Sequence, residues 1–206
     1  MRLLIVAGIL MAASAAQADG IWSVQLNLGF SGDSESDEFK SKQFDSDDID
    51  NEDLEGNYGL AGAYEFLMTN RITLGPRLGF FVSEIDNKAE DKLNTLDIGA
   101  YARFFFNDGA WRGFVGAAIG PTFAQIANDD DDDERDLSGF GGHFYGNVGV
   151  QGDLGSTVGF IASLGALYQS VGSMEGDYKS GGQELDDAEL KDSVATRGVL
   201  SAGITF

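Results

Sequence analysis

His143 is the only histidine in the 206-residue chain, and there is no cysteine, so few side chains can serve as base, nucleophile or soft metal ligand. An imidazole acts as a general base only with a nucleophile within hydrogen-bond reach. His143 sits in Gly141-Gly142-His143-Phe144-Tyr145, with no serine following closely. That context favours a hydrogen-bonding role over a catalytic one. Without cysteine, neither a disulfide framework nor a thiolate zinc site can form.

Carboxylates are the other reactive supply. Asp129, Asp130, Asp131, Asp132, Asp133 and Glu134 form an unbroken acidic run. Oxygen-only ligands suit Ca²⁺, so these residues are weak candidates for divalent-cation binding, against the plainer reading of a self-repelling solvated segment. Asp45, Asp47, Asp48, Asp50 and Glu52 form a second patch but lack the glycine of an EF-hand loop. No phosphate-cradling glycine loop is present, and no cofactor is expected. Nucleic acid would be repelled.

The formal charge of −21 is unevenly distributed. Segments 31–55, 83–93, 125–138 and 171–193 hold 29 of the 34 acidic residues and seven of the 13 basic ones. The remainder is close to neutral, with five acids and six bases, one of which is Arg2.

The elements between those segments alternate with period two, the pattern of strands with one apolar and one polar or small face. Trp22, Val24, Leu26, Leu28 and Phe30 alternate with Ser23, Gln25, Asn27 and Gly29. Similar runs cover 58–66, 72–82, 95–106, 111–123, 143–154, 158–168 and 194–206, giving eight strands. Short turns near Met68-Thr69-Asn70, Asn107-Asp108-Gly109 and Gly155-Ser156-Thr157 alternate with the acidic segments, which read as four long loops. Pro76 and Pro121 lack a ladder donor and follow glycine, so bulges or rims are expected there. Residues 1–18 combine Arg2, an apolar run from Leu3 to Ala13 and Ala16-Gln17-Ala18, which reads as an export signal. No later run approaches the roughly 18 apolar residues of a membrane helix.

Eight alternating strands, short turns opposite long loops, an export signal and a closing strand ending on Phe206 resemble the small eight-stranded OmpA/OmpX-type outer-membrane barrels, over essentially all of 21–206. The resemblance implies an all-β, antiparallel, up-and-down transmembrane barrel with loops outside the cell and both termini in the periplasm. Aromatics agree. Trp22, Phe66, Phe106, Trp111 and Phe206 fall at one level, and Phe30, Tyr58, Phe80, Phe123 and Tyr168 at the other, as two lipid interfaces require.

Glu65, Arg71, Arg77, Asp97, Arg103, Arg112, Asp153 and Arg197 then point inward. An eight-stranded lumen is just wide enough for side chains, so these charges should pair. Hairpin counting places Glu65 by Arg71, Arg77 by Asp97 and Arg112 by Asp153, and leaves Arg103 and Arg197 unassigned. The resemblance implies a non-enzymatic role in envelope integrity, adhesion or surface recognition. A narrow cation-attracting channel is the alternative. A lipid A-modifying enzyme, a type that pairs histidine with serine, is a third. Expected partners are outer-membrane lipid and lipopolysaccharide, with divalent cations at the loops, and the chain is expected to act as a monomer.

Overall fold

The computed structural model describes residues 20–40, 45–85, 92–129, 133–155, 157–180 and 183–206. The export signal read at 1–18 lies outside them. Eight strands follow in order: β1 (Gly20–Lys40), β2 (Asp45–Thr69), β3 (Ile72–Ile85), β4 (Lys92–Phe105), β5 (Trp111–Asp129), β6 (Asp133–Asp153), β7 (Gly159–Ser180) and β8 (Gln183–Thr205). Each pairs antiparallel with its chain neighbour, and β1 pairs with β8 to close the barrel. Closure extends to the last residue, with Trp22 N donating to Phe206 O at 3.1 Å and Phe206 N to Trp22 O at 2.9 Å. A closed ring leaves no sheet edge, which is what an apolar membrane interior demands of strands.

The alternation read from sequence sets which face is which. Leu26, Leu28, Leu164, Leu200 and Ile204 are exposed on the outer wall, whereas Ser23, Gln25, Asn27, Ser163 and Ser201 are buried in the lumen. Such inversion, apolar out and polar in, suits a barrel solvated by acyl chains. Exposed aromatics gather at both ends of this wall. Bulges sharpen the outer ring: the register shift between Gly29 and Ser31 leaves Phe30 unpaired with β8, and that between Gly139 and Gly141 leaves Phe140 unpaired with β7. Both rings project outward. At the opposite end, Thr69 Oγ1 accepts from the backbone N of Arg71 and Ile72 at 3.2 and 3.0 Å. Asn107 binds Gly113 N and Trp111 O at 2.9 and 2.6 Å, and Gly109 takes the positive φ of 128° that this turn needs.

The structure corrects the loop reading. Most of segments 31–55, 125–138 and 171–193, and both ends of 83–93, are paired strand, the ladders reaching Lys40↔Asp45, Glu84↔Lys92, Asp129↔Glu134 and Ser180↔Gln183. Strands β1 and β2 have 21 and 25 residues, about twice the 9–11 needed to cross a bilayer. Beyond the lipid, burial of the outer face no longer imposes alternation, so the periodicity fades while backbone pairing continues. Asp130, Asp131 and Asp132 lie outside the described residues; Asp129, Asp133 and Glu134 lie at the ends of β5 and β6.

The prolines also depart from expectation. Pro76↔Ala100 and Pro121↔Gly142 sit in regular register, without bulges. Each instead breaks the ladder on its other side without shifting it: Ala63↔Arg77 is followed by Phe66↔Leu74, and Asp97↔Thr122 by Ala100↔Ile119. A missing N–H toward one neighbour is enough to explain this.

Inside, apolar residues form three layers. Leu54, Leu93, Ile126, Leu137, Met174 and Leu190 belong to a cluster at the extended end. Phe81, Tyr101, Tyr145, Leu167 and Val199 fill the middle. Phe105, Phe114 and Ile161 close the end near the short turns.

Candidate functional site in the barrel lumen

Glu65 of β2 and Arg103 of β4 form the central ion pair, both side chains being fully buried. Arg103 Nε donates to Glu65 Oε2 at 2.7 Å and Nη2 to Oε1 at 2.6 Å, a bidentate fork. Thr73 Oγ1 donates to the same carboxylate, and Arg103 Nη1 donates to Gln151 Oε1 at 2.8 Å. The Phe105 and Phe114 rings each lie 5.2 Å from the guanidinium carbon. Both expected assignments change here: Glu65 pairs with Arg103, which hairpin counting left without a partner. Arg71 instead lies exposed at the turn and meets Asp108 at 3.4 Å.

Asp97 organises the second group. Its Oδ1 accepts from Thr122 Oγ1 and from Gln169 Nε2 at 2.8 Å. Gln169 Oε1 accepts from Arg197 Nη2 at 2.6 Å, and Arg197 Nη1 reaches Ser83 Oγ at 2.6 Å. Arg197 thus sits within the network, linked to Asp97 through an amide. His143 Nδ1 lies 3.2 Å from both Thr122 Oγ1 and Pro121 O, and 3.7 Å from Asp97 Oδ1.

A third chain crosses between these. Tyr101 OH donates to Asn147 Oδ1 at 3.1 Å, and Asn147 Nδ2 to Ser163 Oγ at 3.1 Å. Ser201 Oγ donates to Asn27 Oδ1 at 2.6 Å and lies 3.4 Å from Tyr145 OH. Arg77 stacks on Tyr145 at 4.5 Å from the ring centre and makes no ion pair with Asp97 among the described residues. Arg112 covers Phe105 at 4.6 Å, while Asp153 is exposed, so these two do not pair within the lumen. Both lie at the short-turn mouth. Of the eight charges expected inside, Glu65, Asp97, Arg77, Arg103 and Arg197 are buried.

The neutral partners Thr73, Ser83, Thr122, Gln151 and Gln169 were not picked out from sequence. Their signal was available, since each occupies an inward position of an alternating strand or its extension. Distances across a lumen depend on strand tilt and stagger, and one-dimensional counting along hairpins omits both.

The geometry around His143 does not fit acid–base catalysis. A relay needs one ring nitrogen on an orienting group and the other on a nucleophile. Here the hydroxyl, the carbonyl and the carboxylate all lie toward Nδ1. Nε2 lies beside Gly99, 3.1 Å from where a Cβ would stand, and the side chain is buried. Among the described residues, no cluster of His, Cys, Asp or Glu could hold a metal ion.

A family model described as "Outer membrane protein beta-barrel domain" matches residues 2–198. No curated protein matches the chain. Among solved structures, the outer membrane protein OprG from Pseudomonas aeruginosa is similar at 9% identity and TM-score 0.50, over 90% of this chain and 94% of that one. Neisserial surface protein A is similar at 15% identity and TM-score 0.45, over 89% and 95% of the two chains. Ail of Yersinia pestis is similar at 13% identity and TM-score 0.43, over 92% and 100%. At such identity the likeness concerns the fold alone.

Proposed function

Since this chain belongs to the outer membrane protein beta-barrel domain family, we propose that it is a non-conducting, non-enzymatic surface barrel serving envelope integrity, adhesion or surface recognition. Its location is the outer membrane. In this reading the acidic hairpins stand outside the cell, the short turns and both termini face the periplasm, and the barrel works as a monomer. Its neighbours are outer-membrane lipid and lipopolysaccharide, with divalent cations bridging carboxylates at the hairpins.

The observation that carries the reading is the closed lumen. Among the described residues, three apolar layers alternate along the lumen with the Glu65–Arg103 pair and the Asp97–Gln169–Arg197 chain, which supports a barrel without a continuous water column. A filled lumen leaves the hairpins as the accessible surface. Extended strand pairs hold them clear of the lipid, where charged surfaces recognise partners.

Reconstitution into planar bilayers tests this directly. The expected result is no stable conductance, together with loss of adhesion or envelope resistance when the hairpins of β1–β2 and β7–β8 are shortened to the lipid level. Large, stable open-channel currents would overturn it in favour of the cation-attracting channel. A lipid A-modifying activity abolished by His143→Gln would overturn the non-enzymatic part.

A further inference from the structure

Three successive rungs of outward residues cross β6, β7 and β8, and their side chains differ in bulk. One rung carries Phe144, Tyr168 and Thr196 and continues onto Asp33 of β1. The next carries only Gly146, Ala166 and Gly198. The third is tall again, with Val148, Leu164 and Leu200 all exposed. The middle rung is therefore a trough in the wall.

A groove of about 310 Å³ opens on it, with Gly146, Ala166 and Gly198 as floor, Phe144 and Tyr168 along one side, and Thr196 and Asp33 toward β1. The Phe30 ring, left unpaired with β8 by the bulge, lies against Gly198, where an added Cβ would stand 2.5 Å from it. Over Gly146 the groove stays open: a Cβ there would meet only Phe144, at 3.6 Å.

Lipid tails are as apolar as leucine, so what holds one chain on a barrel wall is closer van der Waals contact than its neighbours offer. A trough between bulky rungs provides that contact. The flanking rungs are four residues apart, about 13 Å at the rise of a strand, before their side chains narrow the gap. A flexible alkyl chain can follow such a slot, whereas the convex wall of a second barrel cannot enter it. The polar end narrows the choice of lipid. Asp33 is exposed on the same rung as Tyr168, at the outer aromatic level, and a carboxylate on a lipid-facing wall favours a cation beside it.

We infer that this groove seats one acyl chain of a membrane lipid whose head carries an ammonium group, the chain lying on Gly146 and Ala166 and the ammonium meeting Asp33. The inference rests on the lipid partnership proposed above and gives it a place on the wall; whether the barrel conducts does not bear on it.

The test uses the full barrel, refolded into vesicles of equal dioleoyl phosphatidylethanolamine and dioleoyl phosphatidylglycerol, released into detergent and weighed by native mass spectrometry. The wild type should retain a single lipid, phosphatidylethanolamine several times more often than phosphatidylglycerol. Gly146→Leu, which fills the floor where a side chain has room, should lose most of the retained lipid. Asp33→Asn should keep a lipid but no longer choose between heads. Should Gly146→Leu fail to refold, Ala166→Leu, at the exposed neighbouring floor position, gives the same reading. A wild type without retained lipid or without a head preference, or undiminished retention once the floor is filled, would overturn the proposal. So would a two-barrel mass that Gly146→Leu abolishes, which would put a second copy in the groove.

Discussion

Arg103 crosses the lumen from β4 to clasp Glu65 of β2 through two charge-assisted hydrogen bonds, at 2.7 and 2.6 Å, with neither side chain reaching solvent. The intervening strand contributes Thr73 to the same carboxylate, so three consecutive strands are tied together at one height. A buried pair of this kind matters less for what it adds than for what its disruption exposes, an ion left without a partner in a medium that cannot solvate it.

Glu65→Gln should therefore destabilise the barrel by about 3–5 kcal/mol, because Arg103 loses the carboxylate it is paired with. The double replacement Glu65→Gln with Arg103→Met should recover much of that loss, since the stranded cation goes with it. Urea unfolding from lipid vesicles measures both. Equal instability in the single and double variants would show that the pair is not the source of the effect.

Leu164 and Leu200 are paired neighbours on the outer wall, each 51% exposed. If that wall faces acyl chains, Leu164→Arg should cost about 2–4 kcal/mol, the penalty for a charge near the bilayer midplane of a barrel. Glu175→Arg, on the exposed extension of β7, should change stability by less than about 0.5 kcal/mol. The same vesicle unfolding assay compares them, and similar small effects at both positions would argue that Leu164 does not face lipid.

Gly75 of β3 faces the β2 backbone with no room for a side chain. A Cβ there would stand 1.8 Å from the Tyr64 carbonyl oxygen, and the ladder is already open beside Pro76. Gly75→Ala should cut refolding yield sharply, as the backbones must separate to admit the methyl. Gly155→Ala, with nothing within 4 Å of the added carbon, should refold like the wild type. The heat-modifiable shift of folded barrel on gels quantifies both.

The wall of this barrel was readable in the sequence because a single rule, lipid outside, acts on every second residue of each strand. Leu26, Leu164 and Leu200 obey it wherever they occur. The lumen was readable only as a set of inward charges. Which charge meets which depends on the stagger that sets β4 against β2, and so Arg103, unassigned by hairpin counting, became the partner of Glu65. Arg71 was misplaced for a related reason: alternation continues on paper past Ile72, but the Thr69-centred turn has already lifted the chain out of the wall. In the acidic segments, charge density masked strand character. The clue lay in isolated apolar residues such as Leu137, Met174 and Leu190, which would be wasted in solvated loops and instead meet inside the extended barrel.

That apolar cap is the layer through which any solute entering from the extended end would pass. Beneath it lies a cavity of about 20 Å³, lined by Leu93, Thr95, Ile126, Gln169, Met174 and Leu190, large enough for about one water molecule. Thr95 is buried there, and the chain contains no cysteine, so Thr95→Cys introduces a unique reporter. In the otherwise wild-type barrel this thiol should resist a polar maleimide applied from the hairpin side. Adding Met174→Ala and Leu190→Ala, at about 2–5 kcal/mol each, should open the cap and make labelling many times faster. Conductance should remain absent even so, because the Asp97–Gln169–Arg197 chain and the Glu65–Arg103 pair still fill the barrel below. Currents appearing in the uncapped variant would identify the cap as the gate and the charged layers beneath it as permeable.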